Sequence, residues 1–248
     1  GSEMCIRDRV GFFSIFIVTD ALAATLEVPS QYKNIQDAID AANDGDVVQV
    51  SSSGSPYTEN ITLKSGVEVI GDGSGSTTIQ GDEKNWVVTA DGVDEKTLIE
   101  GFTITGGKGG IRCVNADLTI ARNHITGNKK AFMGGGIYIE KGTSLATPSI
   151  QYNTIDKNTA DYGGGICSDY ADPTIEGNDI FENHAVNWGG GIFMQDSSGT
   201  ITENSISLNT AGETSPVYYA GWGAGIFCDR SSTIISGNVI DRNSAITH

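Results

Sequence analysis

Five glycine-rich tracts in this chain run into an isoleucine, at Ile111, Ile137, Ile166, Ile192 and Ile226. If each isoleucine points inward from a strand, alternation turns the first and third residues after it outward. One outward column is then Arg112, Tyr138, Cys167, Phe193 and Phe227; the second is Val114, Glu140, Asp169, Gln195 and Asp229. Four residues before the last four isoleucines stand Met133, Tyr162, Trp188 and Trp222. Aromatic faces pack against the C–H faces of sugar rings, and acids supply hydrogen bonds or calcium ligands. The pattern therefore predicts a polysaccharide track with Tyr138, Tyr162, Trp188, Phe193, Trp222 and Asp229 as contacts. Tyr218 and Tyr219 join them from an extra loop, Glu213 to Gly221, because insertions in stacked repeats project from one face. Calcium is the cofactor such acids would favour. A second reading stays open: stacked aromatics also stabilise coils by packing on one another, and glycines simply permit tight turns.

Catalysis needs more. Glu140 and Asp169 fall on consecutive repeats, about 4.8 Å apart if those repeats are neighbouring strands. That approaches the separation of about 5 to 9.5 Å between paired glycosidase carboxylates. Any stack with acids in register would give the same spacing, so the pair is a candidate by position only. Arg112 is the one base in the outward columns of the regular region. His124 and His184 sit beside turn asparagines without an evident partner and read as turn residues.

The elements that would position these residues come from an internal repeat. I-x-x-N-x-I-x-x-N begins at Ile120, Ile150, Ile175, Ile201 and Ile235. Its period is roughly 25 to 34 residues, which signals a stacked architecture. The apolar snatches are β-branched and too short for helices, so they are predicted as strands. None can bury a core alone; stacking puts like residue over like residue. Each Asn follows a strand where the chain turns. Asn tolerates the left-handed conformation, and its amide both donates and accepts, so two Asn columns should form ladders along the stack. In Leu98 to Ile104, a degenerate repeat, Phe102 stands where Asn stands later.

Repeated G-G-G-I with I-x-x-N-x-I resembles the right-handed parallel β-helix repeats of the pectate-lyase-like superfamily. The G-G-G-I tract with Phe181-Glu182-Asn183 is also similar to repeats of bacterial polymorphic outer-membrane proteins. The resemblance covers about residues 26 to 248 and implies an all-β right-handed parallel β-helix, a fold that hosts many activities. It also implies an N-terminal cap, and for an enzyme, lyase or hydrolase action on an acidic polysaccharide such as pectate. The hydrolase signatures N-T-D, D-D, G-H-D and R-I-K are absent, as is the R-x-P-x-x-R motif of calcium-dependent pectate lyases. Polysaccharide binding without cleavage is thus the first expectation, and lyase or glycoside hydrolase activity the alternative.

Residues 1–24 are set apart from the β-helix of 25–248. Glu3 to Arg9 resembles a translated sequencing adapter. Val10 to Val18 is a short apolar run ending in Ala21-Leu22-Ala23, the pattern of a secretory leader that has lost its start. The protein is therefore expected to be secreted or at the cell surface, without a membrane span in this stretch. A net charge of −16 argues against nucleic acid as a partner and, overall, against polyanionic sugars unless calcium bridges them. Cys113 and Cys228 are placed inward and Cys167 outward, with no metal or redox spacing. Ile35, Ala38, Ile39 and Ala42 share a helical face, with Asn34 able to cap and Gly45 able to stop the helix. This helix is predicted to precede all strands and close the first coil. About seven or eight coils are expected, a rod of about 35 Å. The last repeat ends at His248 without a cap, so a longer natural chain is expected.

Overall fold

The computed structural model describes residues 22–129, 131–213 and 221–246. Residues 1–21, and with them most of the expected adapter and leader, lie outside it, as do Tyr218 and Tyr219. The chain winds into a parallel β-helix of about seven turns. Its strands form four parallel sheets of nine, seven, eight and five strands, in line with the expected coil number.

In the nine-stranded sheet most of the short strands place one β-branched residue inside. Ile99, Ile120, Ile150, Ile175 and Ile201 pair in register from coil to coil, and each is fully buried. Burial of one such side chain contributes about 1.5 to 3 kcal/mol, but only once a neighbouring coil covers it, so the repeat is stable as a stack.

The two asparagine columns form the ladders the repeat predicts. In the first, the Nδ2 of Asn123, Asn153, Asn178 and Asn204 each donates to the Oδ1 of the next Asn at 2.9 to 3.3 Å. In the second, Asn128, Asn158, Asn183 and Asn209 do the same at 3.0 to 3.1 Å. Phe102 stands at the foot of the first ladder, its backbone N–H donating to Asn123 Oδ1 at 3.0 Å. The left-handed residue is not the asparagine, however. It is the residue before it: Arg122, Tyr152, Lys157, Glu182, Glu203, Leu208 and Arg242 have φ between 51° and 57°, and Gly127, Gly177 and Gly237 fill the remaining turns. A left-handed L-residue costs about 1 to 2 kcal/mol, and the buried amide ladder next to it holds the turn regardless.

The helix α1 (Ile35–Ala41) packs against the first coil, with Ile35, Ala38, Ile39 and the following Ala42 fully buried. It does not precede all strands. The strand β1 (Thr25–Val28) comes first and pairs in parallel with β2 (Val47–Val50); its signal is only two alternating apolar residues, Leu26 and Val28. Asn34 makes no capping bond. Glu59, from the next coil, accepts from the N–H groups of Ile35 and Gln36 at 3.0 and 3.1 Å instead, a carboxylate at the helix start. The helix ends at Ala41 with Ala42 as its C-terminal cap, and Gly45, with φ of 88°, serves the turn before β2.

Cys113 is buried, and burial pushes its thiol up to about 12. Cys167 lies in an outward column but is buried too, at a register position between Tyr138 and Phe193. Cys228 points toward the core position yet is exposed, because among the described residues no coil covers that end; Ile235 and Ile240 are exposed for the same reason.

Candidate functional site

The outward columns assemble in register. Arg112, Tyr138, Cys167, Phe193 and Phe227 are successive partners, as are Val114, Glu140, Asp169, Gln195 and Asp229. Met133 pairs with Tyr162, Tyr162 with Trp188 across a bulge, and Trp188 with Trp222 through an isolated bridge. These last residues belong to the fourth sheet, formed by segments such as Thr159–Tyr162 and His184–Trp188. Its inward residue is Ala131, Ala160, Ala185 or Ala211, too small to mark a strand in the sequence.

The rings mostly serve one another. Trp188 and Trp222 stack at 5.5 Å between centroids and 9° between planes, and Phe193 and Phe227 at 5.7 Å and 16°. Tyr162 meets Trp188 edge to face at 5.4 Å, and Phe132 meets Tyr162 in the same way. Phe193, expected as a sugar contact, is 1% exposed. The rings of Tyr162 and Trp188 lie over it, so it is the floor of the ladder and has no free face. Phe132 and Trp222, at 64% and 53% exposure, are the open rings.

The acids are also spoken for. Glu140 accepts from Arg112 Nε at 2.7 Å and pairs with Nη2 of the same guanidinium. Asp229 lies 3.2 Å from Arg230, which also binds Asp196 at 2.7 and 2.9 Å. Asp169 is different: its Oδ1 is buried without a hydrogen-bond partner. Burial, then the charges of Glu140 and Asp196, raise its carboxyl above the ordinary range. Glu140 and Asp169 are thus neighbours as expected, one held by arginine and one that retains its proton more readily. Tyr138 is pushed up by burial and by Glu140. Among the described residues no three acidic, histidine or cysteine side chains gather closely enough to hold a metal ion.

The histidines have partners that the sequence hides. His124 Nε2 lies 2.7 Å from Asp156 Oδ1, one coil on, and His184 Nδ1 lies 2.8 Å from Thr210 Oγ1. Burial pushes the Asp156 carboxyl up, but bonds from Thr126, Lys157 and His124 outweigh it and hold the group below its ordinary value. Both arrangements fasten coils together.

At the N-terminal end of the ring ladder lies a cleft of about 490 Å³ lined by Trp86, Lys108, Arg112, Phe132, Met133 and Tyr138. Trp86 and Tyr138 stack on each other in its wall at 6.1 Å and 23°. A Cβ on Gly109 would lie 2.1 Å from the Trp86 ring, so the indole rests on bare backbone there. Lys108 Nζ stands 5.9 Å from the centre of the same ring. Trp86, Lys108 and Phe132 were not legible as site residues. Trp86 precedes the regular repeats, and only the pairing of Trp86 with Gly109 brings it beside Tyr138.

Stacked parallel coils with an aromatic outer face define a β-helix solenoid. The family described as a right-handed β-helix region matches residues 30–180 and 148–247, and the chain belongs to that family. A comparison with curated proteins finds no match. Among solved structures, pectin methylesterase from carrot superposes with a TM-score of 0.53 at 16% identity, covering 94% of this chain and 88% of the carrot chain. That likeness is one of fold. No helix among the described residues is long and apolar enough to cross a membrane.

Proposed function

We propose that this β-helix binds polysaccharide on its outer face, at the cleft lined by Trp86, Tyr138 and Phe132 and along the open ring of Trp222. The observation that carries the reading is the cleft itself. Its volume of about 490 Å³ falls in the range of ligand sites, and its walls combine rings with a few polar groups, as sugar recognition requires. The fold likeness to a protein named for action on pectin is consistent with this. Outer-face binding by a solenoid fits a secreted or cell-surface protein. The test is affinity electrophoresis in gels containing soluble polysaccharides. The wild-type chain should be retarded, and Trp86→Ala should migrate as in a blank gel.

A second reading rests on one observation, the pairing of Glu140 and Asp169. A carboxyl raised above its ordinary range by burial and neighbouring charge, beside one bonded to arginine, is the kind of pairing used in glycoside hydrolysis. In that reading Asp169 is the acid and Glu140 the base or nucleophile. Release of reducing ends that disappears in Asp169→Asn would establish it; no release by the wild type on any polysaccharide it binds would dismiss it.

A further inference from the structure

Two large rings stay open on the face of the fourth sheet, Phe132 at 64% and Trp222 at 53% exposure. Three coil steps separate them, from Met133 beside Phe132 through Tyr162 and Trp188 to Trp222, or about 14 Å at the strand spacing. Charge is segregated along the same face. Gly107 N–H donates to Asn128 Oδ1, so Lys108 and Lys129, each one residue further on, hold the same place on consecutive coils. Lys129 is exposed and lines a shallow cleft with Phe132. Further along the stack the sheet carries Asp161 and, just past Ala211, Glu213; burial and then the Glu213 charge raise the Asp161 carboxyl. The sequence shows the same division. Residues 84–141 hold eight lysines and arginines against six acids, whereas residues 158–229 hold ten acids and no lysine or arginine.

A face graded in this way is self-complementary. A twofold axis between the Tyr162 and Trp188 coils, perpendicular to the stack, carries the Phe132 coil onto the Trp222 coil. The same operation carries Lys129 toward Glu213, since each shares a coil with one of the open rings. We infer that this face is a contact between two copies of the chain, packed side by side and antiparallel. Phe132 of each copy meets Trp222 of the other, and Lys129 of each meets Glu213 of the other. Such an isologous contact closes at two copies and builds no filament. A parallel arrangement would set the acid-only stretches against each other, which disfavours it. Two ring pairs and two charge pairs make a small, transient interface. The inference does not rest on the polysaccharide reading. It constrains it, because the paired state covers both open rings, and a second copy and a polysaccharide cannot share the face.

The experiment is sedimentation velocity of the full chain at about 5 to about 500 μM, the span over which a weak contact dissociates. Wild type should pass from monomer to dimer and stop there. Lys129→Glu and Glu213→Lys should each weaken the dimer about 10-fold or more, because each sets two like-charge contacts across the twofold axis. An equimolar mixture of the two variants should associate as tightly as wild type, since both contacts are then opposite in charge again. Misfolded variants would give no such rescue. Phe132→Ala should weaken the dimer without a change in melting temperature. The inference fails if wild type stays monomeric throughout, if the mixture associates no better than its components, or if Phe132→Ala pairs as tightly as wild type. It also fails if Ile240→Glu, at the uncovered end of the stack, abolishes association, because the contact is then end to end. Affinity electrophoresis tests the polysaccharide reading separately, so either proposal can fall alone.

Discussion

Arg112 and Glu140 stand on neighbouring coils, and their 2.7 Å bond divides the outer face in two. On one side lies a basic, ring-walled cleft; on the other, a column of carboxylates. Glu140 orients the arginine for the cleft, and its charge raises the carboxyl of Asp169 on the next coil. One ion pair thus prepares a cation on one side and a reluctant acid on the other.

The Asp169 group predicts a pH dependence. Burial and the charges of Glu140 and Asp196 raise its folded pKa above the unfolded value. Its contribution to stability is therefore fully present below the unfolded pKa, near 3.8, and is lost as pH rises through the folded value. Asp169→Asn removes the cost of ionising this site. The variant should melt higher than wild type at pH 7, and the difference should vanish near pH 3.5. Thermal unfolding at both values checks this.

Glu140→Gln should lower the Asp169 pKa toward 3.8, because it deletes the neighbouring charge. Side-chain carboxyl titration by NMR measures it directly. An unchanged Asp169 midpoint would mean that burial alone sets the shift.

The asparagine ladders predict position-dependent losses. Asn183 is fully buried, donates to Asn209 and to Ile155 O, and accepts from Asn158 Nδ2 and N–H. Asn183→Ala leaves those neighbours unpaired, at about 1 to 3 kcal/mol each, so a loss of about 3 kcal/mol or more is expected. Asn243 ends its ladder and is only part-buried, so Asn243→Ala should cost about 1 kcal/mol. Urea denaturation of the two variants tests the contrast.

Leu208 offers the opposite sign. It is left-handed at φ 56° and 40% exposed. Leu208→Gly relieves about 1 to 2 kcal/mol of backbone strain against about 0.5 to 1 kcal/mol of added chain entropy. A net gain of up to about 1 kcal/mol in urea denaturation is expected.

Gly109 seats the Trp86 ring. Gly109→Ala should displace the indole and weaken polysaccharide binding, in the same direction as Trp86→Ala. Gly92 has open space around its Cβ position but a left-handed φ of 65°, so Gly92→Ala should cost some stability and leave binding intact.

Much of this was legible in the chain. Ile120, Ile150, Ile175 and Ile201 announce the stack because β-branched residues recur with Asn at a fixed offset. The columns through Tyr138 and Glu140 follow from alternation alone, and that through Trp188 from its fixed offset to Ile192. What stayed hidden depends on contacts between coils. The fourth sheet has only alanine inside, so hydrophobic pattern does not reveal it. Phe193 looks like a ligand contact until the bulged strand lays Trp188 over it. His124 finds Asp156 and Arg112 finds Glu140 across consecutive coils, each partner two residues beyond the residue directly opposite. The cleft joins Trp86, from before the regular repeats, to Phe132, well within them.

The central claim is that the cleft binds polysaccharide. The most direct measurement is affinity electrophoresis of wild type and Trp86→Ala across neutral and acidic polysaccharide gels, with equal folding confirmed by circular dichroism. The account predicts retardation of wild type in at least one gel and its loss in Trp86→Ala. Wild type that runs freely in every gel, or a Trp86→Ala variant retarded as strongly as wild type, would contradict it.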